Sequence, residues 1–171
     1  MAVEEVILVN EADMPVGRME KIEAHRKALL HRAFSVFIFD SRGRMLLQRR
    51  AQGKYHSPGL WTNACCSHPR PGEDTAAAAA RRLREELGFT TGLEEIFSFT
   101  YKTVFDNGLT EFEFDHVFIG QYDGDVRPDP AEVSDFCYLD MDRIATDLDT
   151  RPEKYTSWFH LAFPLLREKT S

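Results

Sequence analysis

A thiol and an imidazole lie two residues apart in the segment Trp61–Pro69, where Cys66 precedes His68. A cysteine beside a histidine can be a nucleophile pair or a metal-binding pair, or the thiol can act as an acid–base group while the histidine serves another purpose. Adjacent side chains on an extended segment face opposite ways. We therefore expect Cys65 and Cys66 to differ in role, one reactive and the other packed in the interior.

Two carboxylates alternate with aromatic side chains in the segment Thr110–Phe114. On a strand, Glu111 and Glu113 face one way and Phe112 and Phe114 the other. If the phenylalanines pack the core, the carboxylates share a surface on which like charges repel and the pKa of at least one carboxyl is raised. Such a pair either lies in open solvent or is held by a cation.

Two further histidines, His25 and His31, flank the start of a strand predicted from Ala33. A turn between them has to bring both rings to one ion if they share a metal with His68. A structural zinc site would need more thiols, because Cys137 is the only cysteine outside the adjacent pair. The carboxylates and imidazoles suit Mn²⁺ or Mg²⁺ at least as well.

Basic residues are concentrated around the same thiol-containing loop. A solvated surface explains any two of them, whereas a cluster of this size predicts a pocket for a small polyanion such as a diphosphate, which arginine binds in a bidentate manner. The cluster comprises Arg49, Arg50, Lys54, Arg70, Arg81, Arg82 and Arg84.

Composition limits the class of protein. The 171 residues fit one domain, residues 1–171. The net charge of −7 disfavours nucleic-acid binding. The longest apolar run, Ala76–Ala80, is far shorter than a membrane span, and Glu4 and Glu5 stand where a signal peptide would carry basic residues. Three cysteines cannot form a paired disulfide framework. We expect a cytoplasmic protein that binds neither nucleic acid nor a membrane.

The apolar pattern predicts strands, then a helix, then strands and further helices. Strands are predicted at Val3–Val9, Ala33–Phe39, Met45–Gln48, Leu93–Val104, Thr110–Tyr122 and Phe136–Leu139, with a turn at Asn10–Gly17. Helices are predicted at Glu73–Leu87, Asp142–Leu148 and Lys154–Arg167. The first has an apolar stripe of Ala76, Ala79, Ala80, Leu83 and Leu87. Gly88 stops this helix, and Pro164 kinks or ends the last one. This order is typical of an α+β fold, a mixed sheet with helices on its faces.

The segment Ser67–Phe89 resembles the Nudix box, a loop–helix–loop that holds a diphosphate and its divalent metal. Ser67 is followed after five residues by Glu73 and, after seven more, by Arg81-Arg82-Leu83-Arg84-Glu85-Glu86-Leu87-Gly88-Phe89. Ser67 replaces the opening glycine of the box and Arg82 replaces a glutamate. Because Nudix hydrolases use that glutamate to gather metal, Arg82 argues against hydrolysis.

The altered box, the Trp61–Pro69 segment, the Glu111–Glu113 pair and the histidines together resemble type 1 isopentenyl-diphosphate delta-isomerases, from about Val6 to Trp158. The resemblance implies a Nudix-like mixed β-sheet flanked by helices and an isomerase of isoprenoid biosynthesis acting on a small homoallylic or allylic diphosphate. It implies one divalent metal (Mn²⁺, Mg²⁺ or Zn²⁺) held by His25, His31, His68, Glu111 and Glu113. It also implies an Mg²⁺ that joins the substrate diphosphate to Glu86.

The same resemblance implies the roles of the remaining site residues. Cys66 and Glu113, the latter with Tyr101, are the two acid–base groups that move a proton on and off the substrate through a tertiary carbocation. Trp158 lines the isoprenoid pocket, and the diphosphate is bound by Lys21, Arg50, Lys54 and Arg82. Two alternatives stay open: a Nudix diphosphate hydrolase and a non-catalytic phosphate-binding or metal-sensing module.

Overall fold

The chain forms three groups of strands separated by single helices and ends in two further helices. A computed structural model describes residues 4–54 and 56–170. The strands are β1 (Glu5–Val9), β2 (Pro15–Glu20), β3 (His31–Phe39), β4 (Met45–Arg50), β5 (Trp61–Thr62), β6 (Cys65–Ser67), β7 (Glu94–Val104), β8 (Thr110–Gln121) and β9 (Val133–Leu139). The helices are α1 (Lys21–Arg26), α2 (Thr75–Leu87), α3 (Met141–Thr150) and α4 (Ser157–Thr170).

Strand β3 lies at the centre of a mixed sheet. It runs parallel to β8, from the pair His31–Glu113 to the pair Phe39–Gln121, and antiparallel to β6, where Ser35 lies opposite Cys66. Single bridges join β3 to β1 and β4. The predicted mixed sheet flanked by helices is therefore confirmed, and β3 lies between the strand that carries Cys66 and the strand that carries Glu113.

Helices cover both faces of β3, because its alternate side chains enter two separate cores. Phe34, Val36 and Ile38 pack with Leu83 and Leu87 of α2. On the other face, Phe37 packs in a second cluster that includes Phe159, Phe163 and Leu166 of α4. A strand buried on both faces has a nearly continuous apolar sequence, as His31–Phe39 does.

Helix α2 follows its sequence signals at both ends. The Asp74 side chain accepts a hydrogen bond from the Ala77 amide at 3.1 Å, and Gly88 ends the helix with a φ of 76°. The predicted apolar stripe is partly wrong, because Ala76 is exposed and the buried side chains are Ala78, Ala79, Leu83, Glu86 and Leu87. Alanines on every side of the first turns left the orientation of the helix ambiguous in the sequence.

Other predictions need correction near the N-terminus and at Pro164. The turn after β1 is shorter than Asn10–Gly17, because β2 begins at Pro15, and neither β2 nor α1 was predicted. The predicted first strand began at Val3, which lies outside the described residues. Helix α4 continues past Pro164 to Thr170, so Pro164 does not end it. Within residues 4–54 and 56–170, no helix combines the length and apolar character that a membrane crossing requires.

Candidate functional site

Three of the predicted histidine ligands converge. The ring centroid of His31 lies 5.0 Å from that of His25 and 4.9 Å from that of His68. Nδ1 of His25 lies 2.6 Å from the Lys21 carbonyl oxygen, and Nδ1 of His31 lies 2.9 Å from the Leu29 carbonyl oxygen. These carbonyls accept the Nδ1 protons and leave each Nε2 as the ligand atom. Burial and the neighbouring His68 lower the pKa of His25 to about 4, which keeps this ring neutral, the form that binds metals.

The two predicted carboxylates are buried, which reverses part of the sequence-based interpretation. The exposed fractions of Glu111 and Glu113 are 3% and 5%, whereas Phe112 and Phe114 are only half-buried. Alternation correctly grouped the residues by face, but the assumption that the phenylalanines fill the core was wrong. The carboxylates therefore do not lie in open solvent, and their oxygens face a tyrosine hydroxyl and histidine rings.

One tyrosine hydroxyl lies between the carboxylates. The Tyr101 hydroxyl oxygen is 2.5 Å from Glu111 Oε1 and 2.6 Å from Glu113 Oε1. A hydroxyl has one proton, so it can donate to only one of the two at a time. On their other side, Glu113 Oε2 lies 2.8 Å from His68 Nε2 and 3.2 Å from His31 Nε2. Burial raises the pKa of Glu113, but His68 and His31 more than offset this and hold it well below its usual range.

These groups form a donor set suited to a divalent metal. The ligand atoms of His25, His31, His68 and Glu113 all lie within 4.8 Å of one another. Glu111 forms a second such group with His25 and with His56, a residue that sequence reasoning did not assign to the site. Imidazoles together with carboxylates fit Mn²⁺, Zn²⁺ or Mg²⁺. No local sequence signal marks His56, because its neighbours His25 and Glu111 are distant from it in sequence.

Strand β6 points its two thiols to opposite sides of the sheet, as expected for adjacent residues. Cys66 Sγ receives a hydrogen bond from Trp158 Nε1 at 3.0 Å and lies 3.1 Å from Asn63 Oδ1. Burial, followed by the nearby Asp115, raises the pKa of the Cys66 thiol. Cys65 is fully buried, and its thiol also donates to Glu86 Oε2 at 3.0 Å. The structure therefore places Cys65 in the interior, bonded to a buried α2 carboxylate that is not among the residues lining the cleft around Cys66.

A serine–aspartate pair lies behind Cys66 and was not found in the sequence. Ser35 Oγ donates to Asp115 Oδ2 at 2.6 Å and lies 3.5 Å from Cys66 Sγ. Ser35 is opposite Cys66 in the β3–β6 ladder, and Asp115 is on β8. Burial and the charge of Glu113 raise the pKa of Asp115 well above its usual range. The pair fixes the hydroxyl that the thiol contacts.

The predicted diphosphate-binding residues line one cleft. It is lined by Cys66, His68, Tyr101, Glu111, Glu113 and Trp158 together with Lys21, Arg50, Lys54 and Arg82. Lys21 pairs with Glu4 and Lys54 with Glu132. Arg82 lies 3.3 Å from Glu86 and 3.5 Å from Glu132. The other basic residues do not share this cleft: Arg70 and Arg81 line an adjoining one, Arg49 bonds the Gly59 carbonyl and Arg84 is exposed. Of the seven basic residues predicted to form one cluster, Arg50, Lys54 and Arg82 line this cleft and the other four do not.

The mixed sheet with the α2 loop–helix–loop on one face is the architecture of a NUDIX protein, and residues 29–159 match the NUDIX domain family. Solved structures agree on the fold. A protein from Deinococcus radiodurans superposes with a TM-score of 0.80 at 22% identity, covering 94% of this chain and 98% of that one. A MutT protein from Methanosarcina mazei Go1 superposes with a TM-score of 0.69 at 18% identity, covering 83% and 96%.

Curated relatives give a narrower assignment. An isopentenyl-diphosphate Delta-isomerase 2 of Aromatoleum aromaticum is 53% identical over 91% of this chain and 82% of its own length. An isopentenyl-diphosphate Delta-isomerase of Pectobacterium atrosepticum is 51% identical over 95% of this chain and 91% of its own. The chain therefore belongs to the isopentenyl-diphosphate Delta-isomerase family within the NUDIX proteins, as the sequence motifs indicated.

Proposed function

We propose that this protein interconverts isopentenyl diphosphate and dimethylallyl diphosphate in the cytoplasm. The observation that carries the proposal is that one cleft contains a thiol, Cys66, and a phenol–carboxylate pair, Tyr101 with Glu113. Cys66 lies on β6 and Glu113 on β8, the strands on either side of β3, and Tyr101 lies on β7 beside β8. Moving a double bond requires a proton to be added at one carbon and removed at another, which two such groups perform.

The proton moves in two steps. In the forward direction, the Glu113–Tyr101 pair delivers a proton to the terminal alkene carbon, and the π electrons of the double bond form the new C–H bond. The resulting tertiary carbocation loses a proton from C2 to the Cys66 thiolate, and that C–H electron pair becomes the internal double bond. In the reverse direction the two groups exchange roles. The reaction therefore requires a proton on the Glu113–Tyr101 side, where burial raises the pKa of Tyr101 and keeps its proton in place. It also requires a thiolate at Cys66, although burial raises the pKa of that thiol before substrate binds.

One residue, Glu113, is assigned both to the metal and to proton transfer, whereas the other metal ligands are not assigned to proton transfer. We assign His25, His31, His68, Glu111 and Glu113 to one divalent ion, and Glu86 to an Mg²⁺ that arrives with the substrate diphosphate. When bound, the first ion supplies positive charge that lets both glutamates remain side by side. The buried carboxylates Glu111 and Glu113 support this assignment. Their contacts in the described part of the chain are with Tyr101 and with histidine rings, and none of these contacts is an ion pair with lysine or arginine.

Arg82 serves the substrate diphosphate in this proposal, and Arg82→Ala is therefore expected to raise KM about 10–100-fold through the loss of charge-assisted hydrogen bonds. If Arg82 only formed helix ion pairs, each would contribute about 0.3–0.5 kcal/mol of stability and KM would be unchanged. Steady-state kinetics and melting curves separate the two roles. Arg84→Ala, which alters an exposed arginine on the same helix, is the matched control and should leave KM as it is.

Trp158 faces the cleft although its exposed fraction is only 2%. The Arg50 guanidinium carbon lies 5.1 Å from its ring centroid, and its indole donates to Cys66 Sγ. A carbocation over this ring would be stabilised by about 2 kcal/mol in a desolvated site. We expect Trp158→Leu to lower kcat about 30-fold, which corresponds to that energy, and Trp158→Phe to lower it less. If the melting temperature fell while kcat per folded molecule stayed constant, Trp158 would be only a structural residue.

Incubation of the purified protein with isopentenyl diphosphate and Mg²⁺ plus Mn²⁺ tests the function. Formation of dimethylallyl diphosphate, followed by NMR, is the expected result. Release of inorganic phosphate would indicate the hydrolase alternative, which Arg82 in the altered box argues against. Substrate binding without turnover would indicate a binding module and would leave the Cys66 and Glu113 arrangement without a role.

A further inference from the structure

We propose that His56 is a fourth histidine ligand of the metal centre. This inference rests on the proposed metal site and adds a side chain that the family resemblance did not assign. The ligand atoms of His25, His56 and Glu111 all lie within 4.8 Å of one another, and all three residues are buried. Two donors bonded to one ion at about 2.1 Å lie up to about 4.2 Å apart, so this spacing is close to that of an assembled site.

The two donor groups have His25 in common, so we assign both to a single ion. His25 belongs to both groups, and its Nδ1 lies 2.6 Å from the Lys21 carbonyl, which leaves one ring nitrogen for a metal. One nitrogen cannot bind two ions, so a metal held by His25 is shared by the group that contains His31, His68 and Glu113 and the group that contains Glu111 and His56. A sphere of four imidazoles and two carboxylates has the six donors of an octahedral site.

The His56 ring is held in place for this role by contacts on two sides. It stacks on Phe105 with a centroid distance of 4.8 Å and an interplanar angle of 7°. Trp158 meets it edge-on at 5.5 Å and 79°. His56 Nε2 lies 2.8 Å from Glu111 Oε2. The pocket thus fixes the ring before a metal binds, which lowers the entropic cost of ligation.

A sixth protein donor has a chemical consequence. A metal site with an open position binds water and can activate it, whereas a site closed by protein donors cannot. In this assignment His56 would take a coordination position that water could otherwise hold at the histidine-bound ion, which is distinct from the Mg²⁺ assigned to Glu86 of the box. The ion then acts through its charge alone on Glu111 and Glu113.

The alternative role for His56 is to orient Glu111 by donating a hydrogen bond, without touching the metal. His56→Gln distinguishes the two roles, because the glutamine amide can still donate to Glu111 but cannot supply an imidazole. His160→Gln is the matched control, since His160 bonds the Pro152 carbonyl and belongs to neither donor group. Each protein is stripped with a chelator, reloaded with Mn²⁺ and assayed for free Mn²⁺ by electron paramagnetic resonance.

We expect His56→Gln to weaken Mn²⁺ binding at least about 10-fold, with His160→Gln unchanged. X-ray absorption of the Mn²⁺-loaded wild-type protein should show four bound imidazoles, and that of His56→Gln should show three. Three imidazoles in the wild type, or wild-type affinity in His56→Gln, would overturn the inference while leaving the proposed metal site intact. A wild-type protein that takes up no Mn²⁺ would instead refute the metal site itself. The wild-type spectrum decides the question even if the variant does not fold.

Discussion

Cys66→Ala is expected to lower kcat for isomerisation about 10²–10⁴-fold, the usual contribution of one acid–base group. The variant removes the only group assigned to exchange the proton at C2. It leaves the metal donors untouched, because Cys66 Sγ contacts Asn63, Ser35 and Trp158 and none of the assigned ligands. The measurement is kcat alongside metal content and melting temperature, so that loss of the reaction can be separated from loss of the fold.

Cys65→Ala is the matched control for this experiment. The Cys65 thiol lies on the other side of β6 and donates to Glu86 at 3.0 Å. Its loss removes one weak hydrogen bond from a carboxylate that also accepts one from Gln48 at 3.2 Å, so most of the rate should remain. A large loss in Cys65→Ala together with a small one in Cys66→Ala would show that the reactive thiol had been misassigned by one residue.

Glu113→Gln is expected to abolish both metal retention and turnover. The carboxylate contacts His31, His68 and Tyr101, and it is assigned both to the metal and to proton delivery. A neutral amide is a poorer metal ligand and cannot carry the proton, so kcat should fall by at least about 10⁴-fold. Elemental analysis after dialysis against Mn²⁺ and a progress curve by NMR measure the two losses separately.

Glu95→Gln is the comparison for Glu113→Gln. Glu95 also pairs with a histidine, His116, at 2.9 Å, but it lies on the exposed part of β7. We expect that variant to keep both metal and activity. Full metal occupancy in Glu113→Gln would contradict the shared site, and normal turnover in that variant would assign the proton to a different group.

The sequence predicts best those elements whose signals are local and redundant. Strands β3, β7 and β8 and helix α2 were predicted within about two residues of their ends, because apolar runs, turn residues and the Gly88 stop all agree. Strand β2 is exposed over most of its length and contains Gly17, and α1 has only six residues. Neither has a buried face long enough to produce a periodic pattern.

The candidate site was predicted by motif and not by physical pattern alone. Alternation shows which side chains share a face of β8, but not which face is covered by the rest of the chain. Glu111 and Glu113 were therefore assigned to the outer face, although they are buried around Tyr101. His56 and the Ser35–Asp115 pair depend on contacts between residues distant in sequence, and no local signal marks such contacts.

The position of β3 between β6 and β8 also has a consequence for how the protein fails on heating. Neighbouring strands lie about 4.8 Å apart, so the separation between the backbones that carry Cys66 and Glu113 is set by two rows of interstrand hydrogen bonds. Lys54, in contrast, lies in the irregular segment between β4 and β5. Loops open at lower free-energy cost than central strands. Warming should therefore weaken diphosphate binding by Lys54 at temperatures where the separation of Cys66 and Glu113 is unchanged. KM would then rise at a lower temperature than the one at which kcat declines. A substitution that rigidifies the segment around Lys54 would extend the temperature range of activity without altering the proton-transfer groups.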